Sequence, residues 1–280
     1  MAGLTQPLRD LEAWVRYFKP ADVPVWDSTA VALEELRETE ERVAPAQLAA
    51  VIEADPLLTL KFMADVATRW RRWGDDDAEL PDSVLGALVM SGISPFFAHF
   101  GPQMTLQTWL QDQPAALEAL EALHRRSERA GRFALAFAVH RADPDASLLA
   151  LLARLQEVTE MLMWYHAPEL MLRLVAARRA DPTLRRAVAQ RQVLNVELDA
   201  LRQALLQRWR LPPLWARLSN PQQMETSAKV QSVVLAARLA RHTTRDWESP
   251  LLANDMEQIA TLLHAAPRVA LAYVKKVDVV

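Results

Sequence analysis

A chain of 280 residues is long enough for one large domain or two small ones, and its core needs no disulfide or metal staple. Hydrophobic residues make up 51%, which excludes wholesale disorder, and the absence of cysteine excludes thiolate zinc sites, iron–sulfur clusters and thiol nucleophiles while favouring a reducing compartment. Thirty-five acidic against 32 basic residues leave a net charge of −3, so no global basic field for nucleic acid exists.

The first residues, "MAGLTQPLRDLEAW", lack the basic and apolar regions of a signal peptide. No stretch reaches the roughly 18 consecutive apolar residues of a membrane span. The expected location is therefore cytoplasmic. Six glycines in the whole chain, with leucine and alanine dominant and no long alternating β-branched run, predict an all-α fold. In chain order the expected helices cover about 6–18, 28–42, 45–54, 57–72 and 82–91, then shorter pieces to about 110. A second series covers about 114–141, 146–164, 168–180, 182–190, 195–209, 213–218, 224–242 and 254–264. This suggests two subdomains, residues 1–110 and 111–280.

Local chemistry marks several starts. Asp27, Asp55, Asp143 and Asp181 suit N-caps, and Pro56, Pro144 and Pro182 then occupy first-turn positions where a missing N–H costs little. The segment "RRWGDDDAELPDS" at 71–83 reads as an exposed acidic loop, and "LSNPQQMETS" at 218–227 as a second soft place. The closing "YVKKVDVV" leans toward β-structure and is expected as a docked or frayed tail.

Catalytic signatures are missing one after another. There is no Gly-x-Gly-x-x-Gly, Walker loop, Gly-x-Ser-x-Gly elbow, His-Glu-x-x-His or His-Asp pair. The six histidines, His99, His124, His140, His166, His242 and His264, are scattered, and each is expected at a helix end or on the surface. Arg69, Arg71 and Arg72, with Arg178, Arg179, Arg185 and Arg186, are basic runs of the sort that cover solvated helix faces, so nucleic-acid binding is not expected.

The stretch "ALHRRSERAGRFALAFAVH" at 122–140 is the most informative. On a helical wheel Leu123, Ser127, Ala130, Phe133, Ala134 and Phe137 share one stripe, with His124 to its side and His140 near the C-terminal end. Glu121–Arg125 and Glu128–Arg132 are favourably oriented i, i+4 pairs. Arg126 lies within the apolar stripe. It must either snorkel to the helix edge or meet a carboxylate or carbonyl cage, because an unpaired buried guanidinium is costly. Downstream, "ASLLALLARLQEVTEMLMWY" at 146–165 is apolar nearly all round in its first half and reads as the buried centre of its domain, with Arg154 the one charge in that half.

Three motifs in order resemble a known family. "VIEADPLLTLKFM" at 51–63 resembles the HDOD-domain signature I-x-x-D-P-x-L through Ile52, Asp55, Pro56 and Leu58, with Ala67-Thr68 where the family has Asn-Ser. "LPDSVLGALVMSGISPFF" is similar to the next family stretch at Ala87-Leu88 and Ser91-Gly92. "LLQRWRLPPLW" resembles L-x-x-x-W-x-L-P through Leu205, Trp209, Leu211 and Pro212. The resemblance spans about residues 20–220 and implies a multi-helix HDOD-like fold: an N-terminal helical bundle packed on a bundle like that of the HD phosphohydrolases.

Carried across residue by residue, the HD metal-ligand positions fall on Arg126, Ala153, Arg154 and Leu198, and "RLSNPQ" replaces the closing histidines. Alanine and leucine have no donor atoms, and a permanently charged guanidinium repels a cation. The resemblance therefore implies no metal, no other cofactor and no catalysis. It implies a bacterial signal-transduction regulator that acts by protein–protein contact with unidentified signalling proteins. The alternative is an anion or nucleotide sensor holding a small anionic ligand between Arg126 and Arg154, unless Glu157, Glu160 or Asp199 neutralises them. A metal-dependent phosphohydrolase is the remote alternative. Trp70, Trp73, Trp164, Trp215 and Trp247 are candidate interface residues.

Overall fold

Proline opens many of the helices, where its fixed φ suits the first turn and its missing N–H would in any case have no intrahelical acceptor. A computed structural model describes residues 3–72 and 80–279, the side chains of 70–72 excepted. The helices are α1 (Leu11–Tyr17), α2 (Asp27–Glu38), α3 (Pro45–Ala54), α4 (Pro56–Arg72), α5 (Val84–Ser91), α6 (Ile93–His99), α7 (Leu106–Trp109), α8 (Pro114–His140) and α9 (Ala146–Arg154). They continue as α10 (Val158–His166), α11 (Pro168–Ala180), α12 (Arg186–Leu194), α13 (Leu198–Arg208), α14 (Pro213–Leu218), α15 (Ala228–His242), α16 (Leu252–Leu262) and α17 (Pro267–Asp278). No strand occurs among the described residues; Val25 and Thr105 form an isolated parallel bridge. The chain is all-α, as its composition predicts.

Two compact units result, one from residues 1–121 and 158–212, the other from 122–157 and 213–280. Neither unit follows a single cut along the chain at 110, because α8 contributes residues to both.

In the first unit the Asp-Pro of the I-x-x-D-P-x-L motif has a structural task. Asp55 is fully buried between α3 and α4, and its carboxylate accepts from Leu57 N at 2.9 Å, Leu58 N at 3.1 Å and Trp26 N at 3.1 Å. Two of these cap α4, and the third ties the entry of α2 to the same carboxylate. Burial raises the Asp55 pKa, and the backbone donors pull in the opposite direction. The W-x-L-P motif likewise ends a helix. After α13, Arg210 takes a left-handed φ of 55° and Leu211 N donates to Leu206 O at 2.9 Å, closing the terminus while Trp209 and Leu211 are buried.

In the second unit α15 is apolar almost all round. Val230, Val233, Ala236, Leu239 and Ala240 are fully buried, and α9 and α16 pack against it. The third neighbour in this chain of packing is α17, laid on α16.

Several local expectations change. The helix expected over 146–164 is two helices, interrupted by a 3₁₀ turn at Leu155–Glu157. Asp27 lies inside α2, whose N-cap is Trp26, and Asp145 rather than Asp143 is the N-cap of α9. Asp181 ends α11, and α12 does not begin until Arg186. The tail "YVKKVDVV" is mostly helical. Pro267 starts α17, Ala270 and Val274 are buried four residues apart, and Tyr273 Oη donates to Ala136 O at 2.9 Å. Burial of an amphipathic face outweighs the β-leaning of its valines.

Candidate functional site

The residues that the resemblance assigns to the HD ligand positions sit mostly on α8 and α9 of the second unit. The inner stripe of α8 forms as the wheel predicts: Ser127, Ala130, Phe133, Ala134 and Phe137 are fully buried, and Leu123 nearly so. His124 is only half-buried, with Nε2 3.8 Å from the Glu128 carboxylate. His140 is exposed at the end of the helix, its Nε2 3.1 Å from Leu263 O.

Arg126 does not snorkel outward. Its Nη2 donates to Glu157 Oε2 at 2.6 Å, and Arg241 Nη2 from α15 donates to Glu157 Oε1 at 2.8 Å. Glu157 is wholly buried, while the two arginine side chains are 16% and 23% exposed. One carboxylate thus sits between two guanidiniums from two helices, each making charge-assisted contact. The 3₁₀ turn that interrupts the 146–164 region places Glu157 there. Among the three carboxylates considered from the sequence, Glu157 is bonded to Arg126. Glu160 is bonded to Arg186 at 2.6 Å, and Asp199 to Arg202 at 2.7 Å, both in the first unit.

Arg154 is brought against the same helix. A Cβ placed on Gly131 would lie 2.5 Å from Arg154 Nε and 2.8 Å from its Cγ, so the bare glycine is what lets the arginine stem pass across α8. Ala153 is fully buried beside it. Leu198 belongs to the first unit, where its side chain is buried, its N–H donates to Gln190 Oε1 at 3.1 Å and its carbonyl accepts from Thr159 Oγ1 at 3.1 Å.

Arginine, alanine, arginine and leucine do not make a donor set for a divalent cation, and Glu157 already faces two guanidiniums. The described residues contain no group of three or more histidines and carboxylates arranged to hold a metal. The residues present do not fit the metal centre of an HD hydrolase. Arg241 carries no motif, and it joins this cluster only because α15 packs on α9.

Other candidates resolve differently. Trp164 and Trp215 are buried and therefore serve as core residues. Trp247 is half-buried, edge-on to Phe133, with Lys275 Nζ 5.6 Å from its ring centroid. Trp73 and the side chains of Trp70, Arg71 and Arg72 lie outside the described residues. Arg69 is paired with Asp65 at 2.6 Å. No helix among the described residues is long and apolar enough to cross a membrane.

The fold is similar to that of the MmoQ response regulator of Methylococcus capsulatus str. Bath, with a TM-score of 0.64 at 21% identity over 91% of this chain and 98% of that one. It is similar to a virulence factor from Campylobacter jejuni subsp. jejuni, with a TM-score of 0.64 at 14% identity over 90% of this chain and 89% of that one. Comparison with the curated proteins gives no match. The HDOD domain profile matches residues 23–224, which agrees with the extent of about 20–220 read from the motifs. On this match over most of its length, together with the three motifs and the helical fold, the chain belongs to the HDOD domain family.

Proposed function

We propose that this protein is a non-catalytic signalling regulator that works through protein–protein contact. One observation carries the reading: Arg126, which the family resemblance sets where an HD hydrolase keeps its first ligand, is bonded to a buried carboxylate that also binds Arg241. A catalytic metal centre needs neutral imidazoles and carboxylates converging on the cation, and here a guanidinium takes that place. Family membership supports a regulatory role, and one protein of similar fold is itself a response regulator. The alternative, an anion or nucleotide sensor using Arg126 and Arg154, is disfavoured because Glu157 already supplies the negative charge that a ligand would bring to Arg126.

The test has two arms. Untagged full-length protein incubated with Mn²⁺, Fe²⁺ or Zn²⁺ should hydrolyse neither phosphomonoesters nor phosphodiesters above the metal-only blank. Partners captured from the source cytoplasm should be retained by an Arg126→Glu, Arg154→Glu variant that remains folded. Metal-dependent turnover would sink the non-catalytic reading. Loss of partners only when nucleotides are supplied would replace surface contact with the sensor.

A further inference from the structure

The first unit contains a cleft of about 1030 Å³ that the HD comparison does not touch. Its volume is that of a small-molecule site. Met104, which lines it, is held by the backbone of the isolated bridge: Val25 N donates to Met104 O at 3.1 Å, and Leu106 N donates to Val25 O at 2.9 Å. From α4, Lys61 reaches to the same place, with Nζ 2.9 Å from Val23 O and 2.6 Å from Gln103 Oε1. Both partners are neutral acceptors. Among the described residues this half-buried ammonium makes no ion pair.

The cleft's remaining charges are uneven. Asp65 is already ion-paired with Arg69 at 2.6 Å, and its other oxygen lies 2.8 Å from His99 Nε2. Arg16 lies 3.3 Å from Glu12 with both side chains exposed, so solvent screens that pair heavily. Lys19 and Asp22 stand at the exposed rim. Burial lowers the Lys61 pKa, while the charges of Asp22, Asp55 and Asp65 pull it back up from beyond ion-pair distance. An anion bonded directly to the ammonium would repay the desolvation that those more distant carboxylates offset only in part.

The lining also offers aromatic surface in a continuous run. Tyr17 meets His166 with ring centroids 5.3 Å apart, His166 meets Tyr165 at 4.5 Å, and Tyr165 meets Trp109 at 5.4 Å. Such a run packs a planar ring by dispersion and edge contacts, as single aliphatic side chains do not. Burial lowers His166 to a pKa of about 4, so this member of the run is neutral near pH 7 and does not itself supply the charge.

We propose that this cleft binds a small organic anion bearing a planar ring, with the Lys61 ammonium meeting its phosphate or carboxylate and the Tyr17–His166–Tyr165–Trp109 surface taking the ring. Asp22 opposes the anion and tunes its affinity. The site lies wholly within the first unit and is independent of the Arg126 cluster.

The probe is 8-anilinonaphthalene-1-sulfonate, an aromatic anion, titrated into the full-length protein by fluorescence. One saturable site per chain is expected. Lys61→Met keeps the apolar stem and should weaken binding about tenfold or more. Trp109→Ala should weaken it as well. Asp22→Asn, at an exposed position, should tighten it about two- to threefold, an opposite sign that general loss of structure does not produce. Displacement by adenosine 5′-monophosphate would assign a phosphate ligand, and displacement by indole-3-carboxylate a carboxylate. The proposal is overturned if neither anion displaces the probe. It is equally overturned if Asp22→Asn and a folded Lys61→Met both leave the affinity unchanged; should Lys61→Met fail to fold, an unchanged affinity in Asp22→Asn alone overturns it.

Discussion

At the scale of single residues, the motif positions turn out to be engineering of the backbone. Asp55 is fully buried because three backbone N–H groups converge on it, not because it touches a ligand. Asp55→Ala should lower stability by about 2–4 kcal/mol, since it removes a helix cap and leaves buried donors unsatisfied, and a shifted denaturant midpoint with unchanged slope would show it. Arg210 makes the complementary case: it is exposed and holds a φ of 55°, so Arg210→Gly should raise stability by about 0.5–1 kcal/mol in the same assay. These motif roles were only partly legible. Asp-Pro reads as a helix start from the sequence, but its third bond, to Trp26 N, joins residues 29 apart and has no local signal. Arg126 was legible as an anomaly in an apolar stripe. Its partner Glu157 was one of three candidates, and Arg241 was not visible at all.

At the scale of elements, α8 shows how one glycine serves a neighbour. Gly131 sits mid-helix, where glycine costs about 1 kcal/mol against alanine, and a Cβ there would meet the stem of Arg154. Gly131→Ala should therefore be destabilising in the wild-type background. In an Arg154→Ala background it should become stabilising by about 1 kcal/mol, and a double-mutant cycle by denaturant unfolding reads that reversal of sign. If alanine stabilises both backgrounds, the close passage of Arg154 is not what the glycine serves. The amphipathic pattern of α8 itself was plain, because 3.6-residue periodicity is a local property. The interruption at Leu155–Glu157 was not, since leucines continue across it and neither proline nor glycine marks it. There the demand comes from tertiary structure: the turn takes Glu157 to two guanidiniums. The terminal helix α17 was missed for a related reason, as its stability rests on Ala270 and Val274 finding a surface to cover.

At the scale of the whole molecule, acid sensitivity follows from a buried imidazole. Burial holds His166 at a pKa of about 4, below its ordinary 6.5, so the folded chain binds a proton less readily than the unfolded chain. Stability is therefore complete above about pH 6.5 and declines as the pH falls toward 4. Between pH 7 and 4.5 the wild type should lose about 2 kcal/mol more than His166→Phe, which keeps a ring against Tyr17, Phe18 and Tyr165, as measured by denaturant unfolding at the two values. Equal losses in both proteins would place the acid sensitivity elsewhere. The sequence by itself determined the all-α class and the family, because helix periodicity and motif order are written residue by residue. Only the tertiary structure decided that Glu157 lies between Arg126 and Arg241, that Arg154 crosses α8 at Gly131, and that Lys61 shares a cleft with four contacting rings. Each of those joins residues distant in the chain, and their meeting depends on how helices pack, which no local pattern encodes.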